Sequence, residues 1–257
     1  MSDFEWVKYI ESRIGLARQW RTKLPEHQRL AQNSRYVRIL GKGFRAISIS
    51  RENPCGRLIR MDNGQPVEGN ATIEGAIQSA DNSLQVGDQN DFRPSAKKRE
   101  HEIQASLIRH ALLNNQLFGD LFDDFSDVFD ELIFITDELS TGKLRADVIA
   151  LGRKSETYFP VFIELKVSRD LTRLKEQAEE AKNLMKIAGD VFIEMLSAAS
   201  GVPKAKISFG DHRLMFIWPK STSGRESDDV ANAREAGFIT SHFVPKADGG
   251  YEFVRAM

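Results

Sequence analysis

Along the chain, apolar positions keep first a helical period, then almost none, then a strand period. Over residues 4–32, Trp6, Ile10, Ile14, Leu16, Ala17 and Trp20 fall partly at helical spacing, so a helix is predicted there. Residues 45–50 (RAISIS) alternate apolar with polar, as a half-buried strand does. From 62 to 94 Asn, Gly, Gln, Ser and Asp accumulate, and the stretch ends at Pro94, which marks a loop-rich connection and a boundary. A second helix is predicted over 95–115, with Ile103, Leu107, Ile108, Ala111 and Leu112 on one face. Strands follow at 131–139 (ELIFITDEL), 144–151 (LRADVIAL) and 158–167 (YFPVFIELKV), separated by the turn sequences STGK and GRKSET. Residues 171–196 read as a helix broken near Gly189, and 213–218, 237–243 and 251–255 as short strands. The expected fold class is α/β: a mixed sheet with an antiparallel three-strand meander flanked by helices, preceded by an N-terminal extension. Residues 1–94 form an accessory region in this reading, and 95–257 the α/β domain.

Composition adds limits. At 257 residues and 41% hydrophobic, the chain has ample material for one core. Its single cysteine, Cys55, excludes an intrachain disulfide framework and a cysteine-ligated zinc site. No run approaches the roughly 20 apolar residues of a membrane span, and the N-terminus lacks a signal-peptide core. A cytoplasmic protein with no membrane partner is expected.

Net charge is only −1, but it is unevenly spread. Residues 1–60 carry 13 Lys/Arg against 5 Asp/Glu, a net of +8 that leaves −9 for the remainder. Much of the acid lies in 119–132 (GDLFDDFSDVFDEL), whose Phe118, Leu121, Phe122, Phe125 and Val128 predict an amphipathic acidic helix. The basic N-terminal region is either a phosphate-binding surface or a solvated charged helix. The five histidines show no ligand spacing, although His101 neighbours Glu100, and Gly41-Lys-Gly43 is too short for a phosphate loop.

Charged residues inside the third strand are the feature that bears on chemistry. Alternate strand residues share a face about 6.6 Å apart, which places Phe162, Glu164 and Lys166 together. The opposite face (Val161, Ile163, Leu165, Val167) is apolar and should lie under a helix. One hairpin can bring Asp147 beside Glu164. Two carboxylates in contact repel and resist burial unless paired. A divalent cation relieves that conflict, since Mg²⁺ takes carboxylate, water and phosphate oxygens. The plainer alternative is a salt bridge from Lys166 to either carboxylate. Glu100 points toward the apolar face of its helix, either as a third acid or as a first-turn carboxylate favoured by the helix dipole, whereas Glu102 projects to solvent. Gln177 flanks the inward stripe Leu171, Leu174, Ala178, Ala181, and either reaches the same pocket or borders the core.

Glu100, then Asp147 in RADVIAL, then Glu164-Leu-Lys166 in FIELKV, then Gln177 resembles the PD-(D/E)xK nuclease superfamily, its restriction-endonuclease-like and resolvase-like members most. The resemblance spans about 97–218, and Ala146 stands where the family's name has Pro. It implies a restriction-endonuclease-like core in 95–257 and a Mg²⁺-dependent nuclease, with Mn²⁺ able to substitute and DNA the expected substrate. Asp147, Glu164 and the Leu165 backbone carbonyl would be metal ligands. Lys166 would be the catalytic amine, Glu100 a direct or outer ligand, and Gln177 a further site residue. The region 1–94 would then bind nucleic acid or serve as a dimerisation arm. A nuclease-fold module kept only for nucleic-acid binding or assembly is the alternative, and a hydrolase of another phosphodiester a third reading.

Overall fold

Five consecutive residues of one strand, Val161 to Leu165, are buried although they alternate between two faces. A strand covered on both sides lies inside a layered structure, and the rest of the fold is built around it. The computed structural model describes residues 3–32, 49–50, 61–62, 65–66, 96–140, 145–166, 174–208, 210–220, 226–246 and 251–256. Its helices are α1 (Asp3–Thr22), α2 (Leu24–Gln32), α3 (Ala96–Leu113), α4 (Leu174–Ser200) and α5 (Glu226–Glu235). Its strands are β1 (Ile49–Ser50), β2 (Met61–Asp62), β3 (Gln65–Pro66), β4 (Glu131–Ser140), β5 (Arg145–Lys154), β6 (Thr157–Leu165), β7 (Arg213–Pro219), β8 (Phe238–Pro245) and β9 (Tyr251–Arg255).

The main sheet is mixed and runs β1-β4-β5-β6-β7-β8-β9. The strands expected at 213–218, 237–243 and 251–255 continue it beyond β4, β5 and β6. β4, β5 and β6 pair antiparallel, but β6–β7 and β7–β8 pair parallel, and β8–β9 returns antiparallel. Parallel neighbours need a crossover, which α4 supplies between β6 and β7 and α5 between β7 and β8. α3 and α4 both pack against this part of the sheet, and β6 is buried on both faces. On the Phe162 side, its ring stacks on Phe192 of α4 with centroids 5.7 Å apart.

Several local expectations shift for identifiable reasons. GRKSET is not all turn. β5 continues to Lys154 and β6 begins at Thr157, leaving a two-residue turn with Ser155 at φ 53°. Gly152 belongs to the strand, paired with Leu132 and Phe159, and its lack of a side chain serves packing, since a Cβ there would come within 2.7 Å of the Phe159 ring. α4 passes unbroken through Gly189, whose buried neighbours Met185, Ala188, Phe192 and Ile193 carry the stripe across it. The N-terminal helix is instead two helices meeting at Lys23, with Pro25 in the first turn of the second, where a missing N–H costs nothing. The acidic stretch forms a 3₁₀ segment, Gly119–Phe125, rather than an α-helix. Phe118, Phe122, Phe125 and Phe129 point inward while Asp120, Asp123, Asp124 and Asp127 stay exposed.

One core unites these parts. Ile10, Ile14, Ala17 and Trp20 of α1 and Leu30 and Ala31 of α2 join the same buried cluster as the sheet. Trp20 meets Phe134 of β4 with ring centroids 6.1 Å apart. The Arg109 guanidinium donates to the Ala31 carbonyl at 2.7 Å, tying α3 to the end of α2. Most of the connection at 62–94, residues 45–48 and the GKG sequence lie outside the described residues.

Candidate metal and phosphoryl-transfer site

Antiparallel β5 and β6 keep strict register from Lys154↔Thr157 to Val148↔Ile163. One step further along that register sets Asp147 opposite Glu164, on one side of the sheet. The ladder does not simply continue there. The Asp147 side chain accepts the Leu165 N–H through Oδ2 at 2.6 Å. The Asp147 carbonyl is bonded by the buried Gln104 side chain of α3, whose Nε2 donates at 2.7 Å. Lys166 turns toward the other neighbour, its N–H donating to the Ile217 carbonyl of β7 at 2.9 Å. Because strand residues alternate direction, the Leu165 carbonyl faces β5 together with its N–H.

Glu164 is only 3% exposed, yet just one of its oxygens is bonded. Oε1 pairs with the Lys166 ammonium at 2.5 Å. Oε2 is buried with no hydrogen-bond partner. A buried carboxylate oxygen without a donor is costly, and the carboxyl responds by holding its proton. Burial and then the facing Asp147 charge push Glu164 from the ordinary 4.5 to about 8, against the pull of Lys166, and Glu100 adds to the rise. Burial pulls the Lys166 ammonium down, but Glu164, Asp147 and Glu100 outweigh it and leave its pKa raised. With all four groups ionised, three carboxylates against one ammonium make a formal −2.

The structure therefore brings Asp147, Glu164, Lys166 and the Leu165 backbone together, with Glu100 near enough to act electrostatically on the pair. It does not gather a closed set: among the described residues no three His, Cys, Asp or Glu side chains stand close enough to hold a metal ion. Glu100 is half-buried, and so is Glu102, which departs from the solvated position expected of it. Gln177 is buried in the first turn of α4. Among the described residues, the Lys166 ammonium is the cation that pairs with the buried Glu164 carboxylate. Sequence reasoning missed Gln104. The available signal was a polar residue flanking the apolar stripe Ile103, Leu107, Ala111, one turn after Glu100.

Oxygen donors of this kind suit a hard divalent cation: two facing carboxylates, one with a buried unpartnered oxygen, plus a main-chain carbonyl. Comparison with family models, with curated proteins and with solved structures gives no match.

Proposed function

We propose that this chain is a metal-dependent phosphodiesterase that cleaves nucleic acid, with DNA as the expected substrate, acting in the cytoplasm on a restriction-endonuclease-like core of the PD-(D/E)xK kind. The order α3, three antiparallel-paired strands, α4, β7 supports the likeness. The observation that carries the reading is Glu164, buried opposite Asp147 with Oε2 unpartnered beside a lysine on the same strand. Asp147, Glu164 and the Leu165 carbonyl would hold Mg²⁺ or Mn²⁺, with Glu100 behind them. Such an ion lowers the pKa of water and neutralises charge on a phosphate. The chain's own residues supply the rest. The Leu165 N–H fixes the rotamer of Asp147. Lys166 Nζ, once turned from Glu164, offers an N–H to a phosphate oxygen or exchanges a proton with the attacking water. The lysines and arginines of residues 1–60 attract the phosphate backbone or, in a homodimer, serve pairing.

Two observations favour a module that binds without cleaving: Lys166 closes on Glu164, and no three-ligand set forms among the described residues. Incubating the chain with a mixed DNA pool in Mg²⁺, and again with chelator, separates the readings. Chelator-sensitive fragments that vanish in Glu164→Gln support the nuclease, whereas retention of DNA without cleavage supports the module. An RNA pool and a small phosphodiester, each with DNA as competitor, define the substrate class.

A further inference from the structure

Gln104 is a buried, hydrogen-bonding side chain to which no role has yet been given. It is 5% exposed, and its amide donates to the main-chain carbonyl of Asp147. That carbonyl sits just beyond the last β5–β6 register pair, Val148↔Ile163. At the same residue the part-buried side chain accepts the Leu165 N–H. Two side-chain bonds thus meet at Asp147, where the carboxylates face each other. One comes from the helix to the strand backbone, the other from the carboxylate to the neighbouring strand. Glu100 lies one helical turn before Gln104, on the same side of α3, and acts electrostatically on Glu164 and Lys166.

We propose that Gln104 is a positioning residue: by clamping the Asp147 main chain to α3 it keeps the Asp147 carboxylate on the Leu165 N–H, facing Glu164, and sets how near Glu100 comes. The proposal rests on the site reading above, but its first test does not. A glutamine buried merely to fill space would stabilise the whole core. A clamp acts on one bond, and the Leu165 amide reports it.

Amide hydrogen exchange on the full chain is the measurement, comparing wild type with Gln104→Met, which keeps the volume and removes the donor. Selective acceleration of Leu165, by roughly tenfold or more relative to Val161 and Ile163, is expected from loss of one buried bond. Equal acceleration along β6, or none, overturns the clamp. Should Gln104→Met fail to fold, wild type still decides. The Gln104 side-chain amide protons must be slow to exchange and show through-bond coupling to the Asp147 carbonyl, and fast exchange overturns the proposal. Mn²⁺ titration followed by electron paramagnetic resonance then tests the link to the site. Weaker Mn²⁺ binding in Gln104→Met than in wild type supports it, and equal binding overturns it. A wild type that binds no Mn²⁺ removes the metal reading and leaves the clamp to be judged by the Leu165 amide.

Discussion

The two ends of the β5–β6 hairpin each carry an acid beside a lysine, and they could hardly behave more differently. At the turn end, Asp130 accepts from Lys154 Nζ at 2.9 Å through Oδ1 and from the Ser155 N–H at 2.7 Å through Oδ2. Both oxygens are satisfied, the group is exposed, and the Lys154 and Ser155 bonds hold its carboxyl below the usual range. At the other end Glu164 has one oxygen on Lys166 and the other on nothing, inside the core, and its carboxyl is pushed up to about 8. The turn-end pair is complete as built. The buried pair is held in place by surrounding packing despite an unmet need for a cation or a proton. That contrast, more than the motif, is why the second cluster is the one proposed for chemistry.

The largest effect expected from breaking the contrast is on cleavage. Glu164→Gln and Asp147→Asn should abolish Mg²⁺-dependent cutting. Lys166→Met should lower its rate by ~10²–10⁴-fold, the usual range for a proton-transfer or charge-stabilising group. Asp130→Asn should cut at the wild-type rate. Single-turnover cleavage of one labelled duplex ranks all four, and an inactive Asp130→Asn beside an active Lys166→Met would reverse the assignment.

Stability against pH comes next, and the two ends carry opposite signs. Between about 4.5 and about 8 the folded chain keeps a proton on Glu164 that the unfolded chain has released. Stability of the metal-free protein therefore falls as pH rises through that window, by on the order of a few kcal/mol in all. Glu164→Gln should flatten this slope, so an inactive variant is expected to melt higher than wild type at pH 8. Asp130, with its lowered pKa, contributes stability above the ordinary carboxylate range and loses it as pH falls. Thermal melts from pH 4 to 9 with chelator present show both trends, and a slope left unchanged in Glu164→Gln would place the titration elsewhere.

Glu100 sharpens the comparison at smaller scale. Glu100→Gln should raise the Mg²⁺ needed for half-maximal cleavage several-fold, in the manner of an outer-shell group. Glu102→Gln should shift it little, because only Glu100 acts on the Glu164–Lys166 pair. The reverse ranking would mean that the other face of α3 meets the site. The smallest change is expected at the turn end, where Asp130→Asn should lower the melting temperature slightly at low salt. High salt should erase the difference, as for any exposed ion pair.

The sequence by itself determined the local elements and their faces. Periodicity located α3, β4, β5, β6 and β7 to within a few residues, since helix and strand periods come from backbone geometry that neighbours scarcely alter. Side-chain alternation alone put Glu164 and Lys166 on one face, and the short connection made Asp147 a natural partner. Tertiary structure decided what depends on residues distant along the chain. It paired Gly152 with strands on both sides, carried α4 across Gly189 on a buried stripe, and joined α1 and α2 to the core of the sheet. It added the parallel strands β7 and β8 beyond β6, which made Glu164's strand an inner one, and packed helices on the sheet so that both faces of that strand are buried. It also brought Gln104 to Asp147 across 43 positions of chain. No local pattern encodes whether a carboxylate oxygen ends in water or in a dry interior without a donor. Burial is a property of the assembled layers, and it turned an ordinary Glu-Leu-Lys tripeptide into a charged cluster with a proton to spare.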